Sequence, residues 1–146
     1  MSDEVTRAGF IAVVGAPNVG KSTLVNRAVG SKVSIVSPKV QTTRTRVLGI
    51  FSLAASQVIF VDTPGIFKPR RRLDRAMVAA AWSGAKNADR ILLLVDAANG
   101  IDSNTSAILQ KLVPTQRRAV LAINKVDLVR KESLLSLTTE LISFGI

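Results

Sequence analysis

The sequence predicts one α/β domain, a mostly parallel sheet covered by helices on both faces. Three observations carry that prediction. Apolar runs of strand length alternate with segments of helical period along the 146 residues, the pattern of strands joined by helical crossovers. Three of those runs end directly on a polar or glycine-containing motif, at Gly15, Asp62 and Asn124. Open parallel sheets bind ligands there, outside the carboxyl ends of their strands. Hydrophobic residues make up 47% of the chain, enough to fill a single core without any cysteine to staple it.

The elements follow in order. Residues 8–15 are a short apolar run ending in Gly15, the pattern of a buried strand. Residues 21–30 read as a helix, with Leu24, Val25 and Ala28 on one face and Gly30 as the stop. Residues 31–46 are polar, basic and aperiodic, a loop. Residues 47–53 and 57–62 are two strands joined by small residues, a hairpin. A Pro/Gly/Arg loop over 63–72 leads to an alanine-rich helix over 73–87. A buried strand at 90–96 precedes the turn signal Asn99-Gly100 and a helix over 102–113. A strand at 119–124 and an amphipathic helix over 131–144 complete the order. There is no internal repeat and no linker, so the whole of 1–146 reads as one domain.

Composition narrows the chemistry. Without Cys there are no thiolate metal sites and no cysteine nucleophile, and without His the commonest general base and zinc ligand are gone. The start, Met1-Ser2-Asp3-Glu4, is unlike a signal peptide, and no apolar run approaches the ~20 residues of a spanning helix. A soluble, cytoplasmic protein is expected. The formal net charge is +10, and residues 31–75 carry seven of those net positives. A face so basic suits a polyanionic partner such as RNA or an anionic membrane, with peripheral contact at the inner membrane one form of it. It also suits a solvated surface that merely attracts triphosphate, and both readings stand. Aromatic residues are only 4%, too few for a platform that stacks bases.

Four motifs carry the chemistry. Gly15-Ala16-Pro17-Asn18-Val19-Gly20-Lys21-Ser22 fits the phosphate-binding pattern GxxxxGK[ST]. Its glycines let successive N–H groups turn inward, and the helix that follows adds its positive end. Lys21 reaches the β- and γ-phosphates, the Ser22 hydroxyl binds Mg²⁺, and Thr23 lies at the α-phosphate. In Asp62-Thr63-Pro64-Gly65, Asp62 holds Mg²⁺ through water and Gly65 offers its N–H to the γ-phosphate. Thr43, with Thr42 second, is the candidate hydroxyl that completes magnesium coordination. In Asn124-Lys125-Val126-Asp127, the Asp127 carboxylate accepts both guanine donors, a pair adenine lacks. Asn124 bonds the base and ties loops together, and the Lys125 stem lies over the ring. The ligand is therefore GTP or GDP.

Ile66 follows Gly65, where small GTPases commonly place a water-orienting glutamine, so slow hydrolysis is expected. Asn18 offers a substitute, a side-chain oxygen that can hold a monovalent cation beside the phosphates. The alternative is a local turn bond from Asn18 to the backbone, and the residues alone leave both open.

Together, Ala16 to Ser22, Gln41-Thr42-Thr43-Arg44, Asp62 to Ile66 and Asn124 to Asp127 resemble the bacterial Era GTPase family over nearly the whole chain. Two sister families, the double-domain ribosome GTPases and the tRNA-modification GTPases, share the phosphate loop. They usually carry Gly-Thr-Thr-Arg-Asp in place of Gln-Thr-Thr-Arg. The resemblance implies a Ras-like phosphate-loop fold, Mg²⁺-dependent GTP hydrolysis, and a role in small ribosomal subunit maturation on 16S rRNA. It also implies potassium at Asn18, since relatives with an apolar residue at the Ile66 position use that ion. Against the family pattern the domain is expected to be incomplete, lacking a last strand, a guanine-contacting Ser-Ala motif, a covering helix and the RNA-binding KH domain. Two other functions compete with the GTPase: a guanine-nucleotide-binding fragment without turnover, and a phosphate-loop kinase, which has no need of the guanine reader.

Overall fold

The computed structural model describes residues 5–30, 47–63, 66, 69–115 and 119–145. Thr42, Thr43, Pro64 and Gly65 lie outside the described residues, as does the side chain of Asp62. Five strands form one sheet in the order β2-β3-β1-β4-β5. They are β1 (Arg7–Val14), β2 (Val47–Leu53), β3 (Ser56–Asp62), β4 (Arg90–Asp96) and β5 (Ala119–Asn124). Only β2 runs antiparallel, against β3. The helices are α1 (Lys21–Val29), α2 (Arg72–Asn87), α3 (Ser103–Leu112) and α4 (Lys131–Ser143). Every expected element is present, with ends displaced by a residue or so. The hairpin closes over Ala54-Ala55, with Ala54 held at φ 50°, a left-handed backbone that glycine would adopt more easily.

Side-chain alternation along the strands splits the core in two. Ala12, Val14, Ile91, Leu93 and Val95 face α2, α3 and α4, and pack with Ala81, Ala85, Ile108, Leu109, Leu112, Leu137 and Leu141. Among the described residues the opposite face holds a smaller cluster: Leu94 and Ala122 pack with Ala16, Val19 and Leu24 at the start of α1. Val120 of the outer strand β5 is 58% exposed.

Register aligns the strand ends. β1 is central, with Val13 opposite Asp62 of β3 and Val14 opposite Leu93 of β4. Asp96 of β4 stands opposite Asn124 of β5. The loops that leave β1, β3 and β5 therefore emerge at one edge of the sheet.

Candidate functional site

The phosphate loop from Gly15 to Ser22 joins β1 to α1 and is packed from below. Ala16 and Val19 are each only 3% exposed. A Cβ at Gly15 would stand 2.7 Å from the Leu94 carbonyl oxygen and 2.9 Å from Val19 Cγ2, so the loop rests directly on β4. Gly20 has φ 103°, and a Cβ there would collide with the Asn124 amide. Lys21 is 7% exposed, and its Nζ donates to the carbonyls of Ala16 at 2.8 Å and Gly15 at 3.2 Å. Thus the ammonium spans the loop that Lys21 itself closes. Ser22 is buried in the first turn of α1, and Thr23 beside it is exposed. The hydroxyl of Ser22 is an oxygen donor of the type magnesium takes.

Asn18 sits at the exposed tip with a left-handed backbone, φ 63°, which Asn tolerates better than most residues. Its carbonyl accepts from Lys125 Nζ at 2.7 Å. No local turn bond from its side chain to another described residue is formed.

The Asn124–Asp127 segment is tied to that loop at two points. Asn124 Nδ2 donates to the Val19 carbonyl at 2.9 Å, and Lys125 reaches the Asn18 carbonyl. Lys125 has φ 58°, and after it the chain enters a single turn over Val126–Leu128 that leaves Asp127 exposed. Its ammonium also pairs with Asp96 Oδ2 at 2.9 Å. The Lys125 side chain is thereby fixed at its tip, with its stem left to form a wall.

Asp96 is a site residue that motif reading passed over. It ends β4, is 5% exposed, and accepts from the Ala98 N–H at 2.8 Å. Burial pushes its carboxyl up, but the hydrogen bond from Lys125, the Ala98 N–H, the charge of Lys125 and the Asn99 contact outweigh burial. The net effect holds it below the usual aspartate value of 3.8. The only sequence signal was an acidic residue ending an apolar run, as Asp62 does.

Thr63 and Ile66 are both anchored where the chain leaves β3. Thr63 is 1% exposed, donates Oγ1–H to the Val13 carbonyl at 2.8 Å, and packs its methyl toward Gly84 of α2. The Ile66 N–H donates to the Gly15 carbonyl at 3.0 Å, and its side chain is buried in the larger core. The side chain that follows Gly65 is therefore part of the core.

A buried phosphate loop between β1 and α1, the Asn124–Asp127 segment beyond β5 and this strand order define a phosphate-loop GTPase fold. Residues 10–125 match the family described as 50S ribosome-binding GTPase, and the chain belongs to that family. It is 61% identical over 132 residues to GTPase Era of Rhizobium meliloti, covering 90% of this chain and 42% of that one. With GTPase Era of Brucella suis the identity is 56% over 142 residues, covering 95% and 46%. The chain thus spans less than half the length of these relatives. A crystal structure of Era with MgGDPNP and nucleotides 1506–1542 of 16S ribosomal RNA superposes at TM-score 0.87 and 41% identity. It covers 94% of this chain and 47% of that chain. An Aquifex aeolicus Era variant bound to GDP·AlF4⁻ gives TM-score 0.84 at 42% identity, covering 92% and 46%.

Proposed function

We propose that this chain binds Mg²⁺–GTP and hydrolyses it slowly, as the G domain of an Era-type switch acting in small ribosomal subunit maturation on 16S rRNA. The observation that carries the reading is the double tie of the guanine reader to the phosphate loop, Asn124 to Val19 and Lys125 to Asn18. A ligand that touches both loops must hold phosphates at one end and a base at the other. The relatives named Era, and the Era structure with MgGDPNP and ribosomal RNA, support the same reading.

In this reading Gly15, Gly20 and Lys21 bind the phosphates, while Ser22, Thr43 and Asp62 hold Mg²⁺ directly or through water. Gly65 senses the γ-phosphate and Asp127 selects guanine. When bound there, magnesium would supply positive charge against the phosphates. Ile66 offers no polar side chain to the attacking water, and Asn18 would hold a potassium ion whose charge would serve beside the phosphate loop. The reading places the protein in the cytoplasm.

Phosphate release with GTP against ATP, with and without Mg²⁺, tests the assignment. GTP alone should be turned over, only with Mg²⁺, and faster in potassium than in sodium. Asn18→Ala should remove the potassium response while leaving GTP binding within a few-fold. A potassium response that survives the substitution would end the cation role of Asn18. Tight GTP binding without phosphate release would leave a nucleotide-binding module instead.

A further inference from the structure

A helix C-terminus favours cations, and the last turns of α1, α2 and α3 carry Arg27, Lys86 and Lys111. The starts of α2 and α4 go the other way, α4 with Arg130 and Lys131 and α2 with a denser cluster. Arg70 and Arg71 precede the helix, Arg72 begins it and Arg75 lies one turn on, all of them exposed. A helix start carries partial positive charge, so these arginines are repelled by the helix and by one another. Asp74 is the single acid of that first turn. Its Oδ2 accepts from the backbone N–H groups of Arg70 at 3.2 Å and Arg71 at 3.0 Å, which ties the carboxylate to the helix cap. Among the described residues the only ion pair is Lys125 with Asp96, so none of the four guanidiniums pairs with a described acid.

We propose that Arg70, Arg71, Arg72 and Arg75 form a docking surface for the phosphate backbone of structured RNA. Guanidinium forks match phosphate oxygens in a bidentate way, and a run of them tracks a backbone without reading its sequence. An external polyanion would relieve the repulsion that the fold itself leaves standing. The outer face of α2 argues against a lipid surface. It carries the small residues Ala76, Ala79, Ala80 and Ser83, while Met77, Ala81 and Ala85 are already buried in the core. Leu73, 58% exposed, is the lone large apolar side chain among the arginines, and an interfacial helix needs a broad apolar face. The proposal rests on the RNA part of the function above and is independent of GTP turnover.

The test is fluorescence anisotropy of a labelled RNA hairpin of about 30 nucleotides, titrated with this chain at several salt concentrations. Arg70→Gln/Arg71→Gln/Arg72→Gln should weaken binding about tenfold and lower the slope of log affinity against log salt by about 2. Arg75→Gln alone should cost about threefold. A control with equal charge loss elsewhere, Arg7→Gln/Arg27→Gln/Lys86→Gln, should stay within about threefold of the parent. GTP affinity, read on the same samples, should match the parent in every variant, which also reports an intact fold. Equal weakening in the control, or no hairpin binding by the parent, would overturn the cluster as an RNA site. So would a variant that keeps hairpin binding but loses binding to phosphatidylserine vesicles. Loss of GTP binding by the parent would instead count against the nucleotide reading.

Discussion

The two halves of the proposed nucleotide site are built on opposite principles. On the phosphate-loop side Ala16, Val19, Lys21 and Ser22 are all buried, and two glycines leave no room for a Cβ. On the side of the Asn124–Asp127 segment Val126 is 47% and Leu128 63% exposed, with the exposed Asp127 between them. The contrast suits what each half is proposed to recognise. Backbone N–H groups can hold phosphate only where the chain itself is fixed. A carboxylate that selects guanine can stand in the open if its neighbours are fixed. Asn124 and Lys125 supply that fixing, by bonding to the rigid half.

The largest expected effect lies on the rigid side. Gly15→Ala drives a Cβ against the Leu94 carbonyl, backbone that cannot step aside, and should cost about 2–3 kcal/mol in stability. A urea midpoint shift measures it, and an unchanged midpoint would mean that the loop is not seated on β4. The open side should respond in specificity instead. Asp127→Asn should lower GTP affinity by about 1.5–3 kcal/mol and gain affinity for xanthosine triphosphate, with stability unchanged to within about 0.5 kcal/mol. Unchanged GTP affinity with no gain for the xanthine nucleotide would remove Asp127 as the guanine reader.

Thr63→Val tests whether rigidity extends into the loop after β3. It keeps the shape but strips the buried Val13 carbonyl of its donor, for an expected loss of about 1–2 kcal/mol in thermal or urea unfolding. The smallest effect belongs to the link between the halves. Asp96→Asn should cost about 1 kcal/mol, because Lys125 is still partly solvated and keeps its bond to Asn18. Since the Asp96 pKa is lowered in the fold, its ionised form stabilises the protein fully above about pH 3.8. That contribution is lost as the pH falls below this value through the folded-state pKa, and the acid limb of the stability profile should flatten in the variant. An identical acid limb in both proteins would show that the Asp96–Lys125 pair contributes nothing.

Much of the fold was legible before any coordinates. Helix and strand periods, with Gly30 and Asn99-Gly100 as stops, placed all nine elements to within about a residue at each end. The segments Gly15–Ser22 and Asn124–Asp127, proposed to hold phosphate and to read guanine, were equally easy to locate, because each is one continuous stretch of adjacent residues. Thr43 and Gly65 lie outside the described residues and keep the roles proposed for them.

Local pattern determined the element order and the strand ends at which the proposed ligand loops lie. It could do so because capping, turn formation and phosphate cradling act over a few neighbouring residues. Tertiary structure alone decided which of those residues hold one another. Thr63 meets the Val13 carbonyl across 50 residues, Lys125 meets Asn18 across 107, and Asp96 meets Lys125 only because β4 and β5 pair with Asp96 opposite Asn124. Strand register sets these contacts, and register is fixed by packing both faces of the sheet at once. A carboxylate such as Asp96 therefore reads in sequence as one more strand end, and becomes a positioning residue for Lys125 only when its neighbour strand arrives.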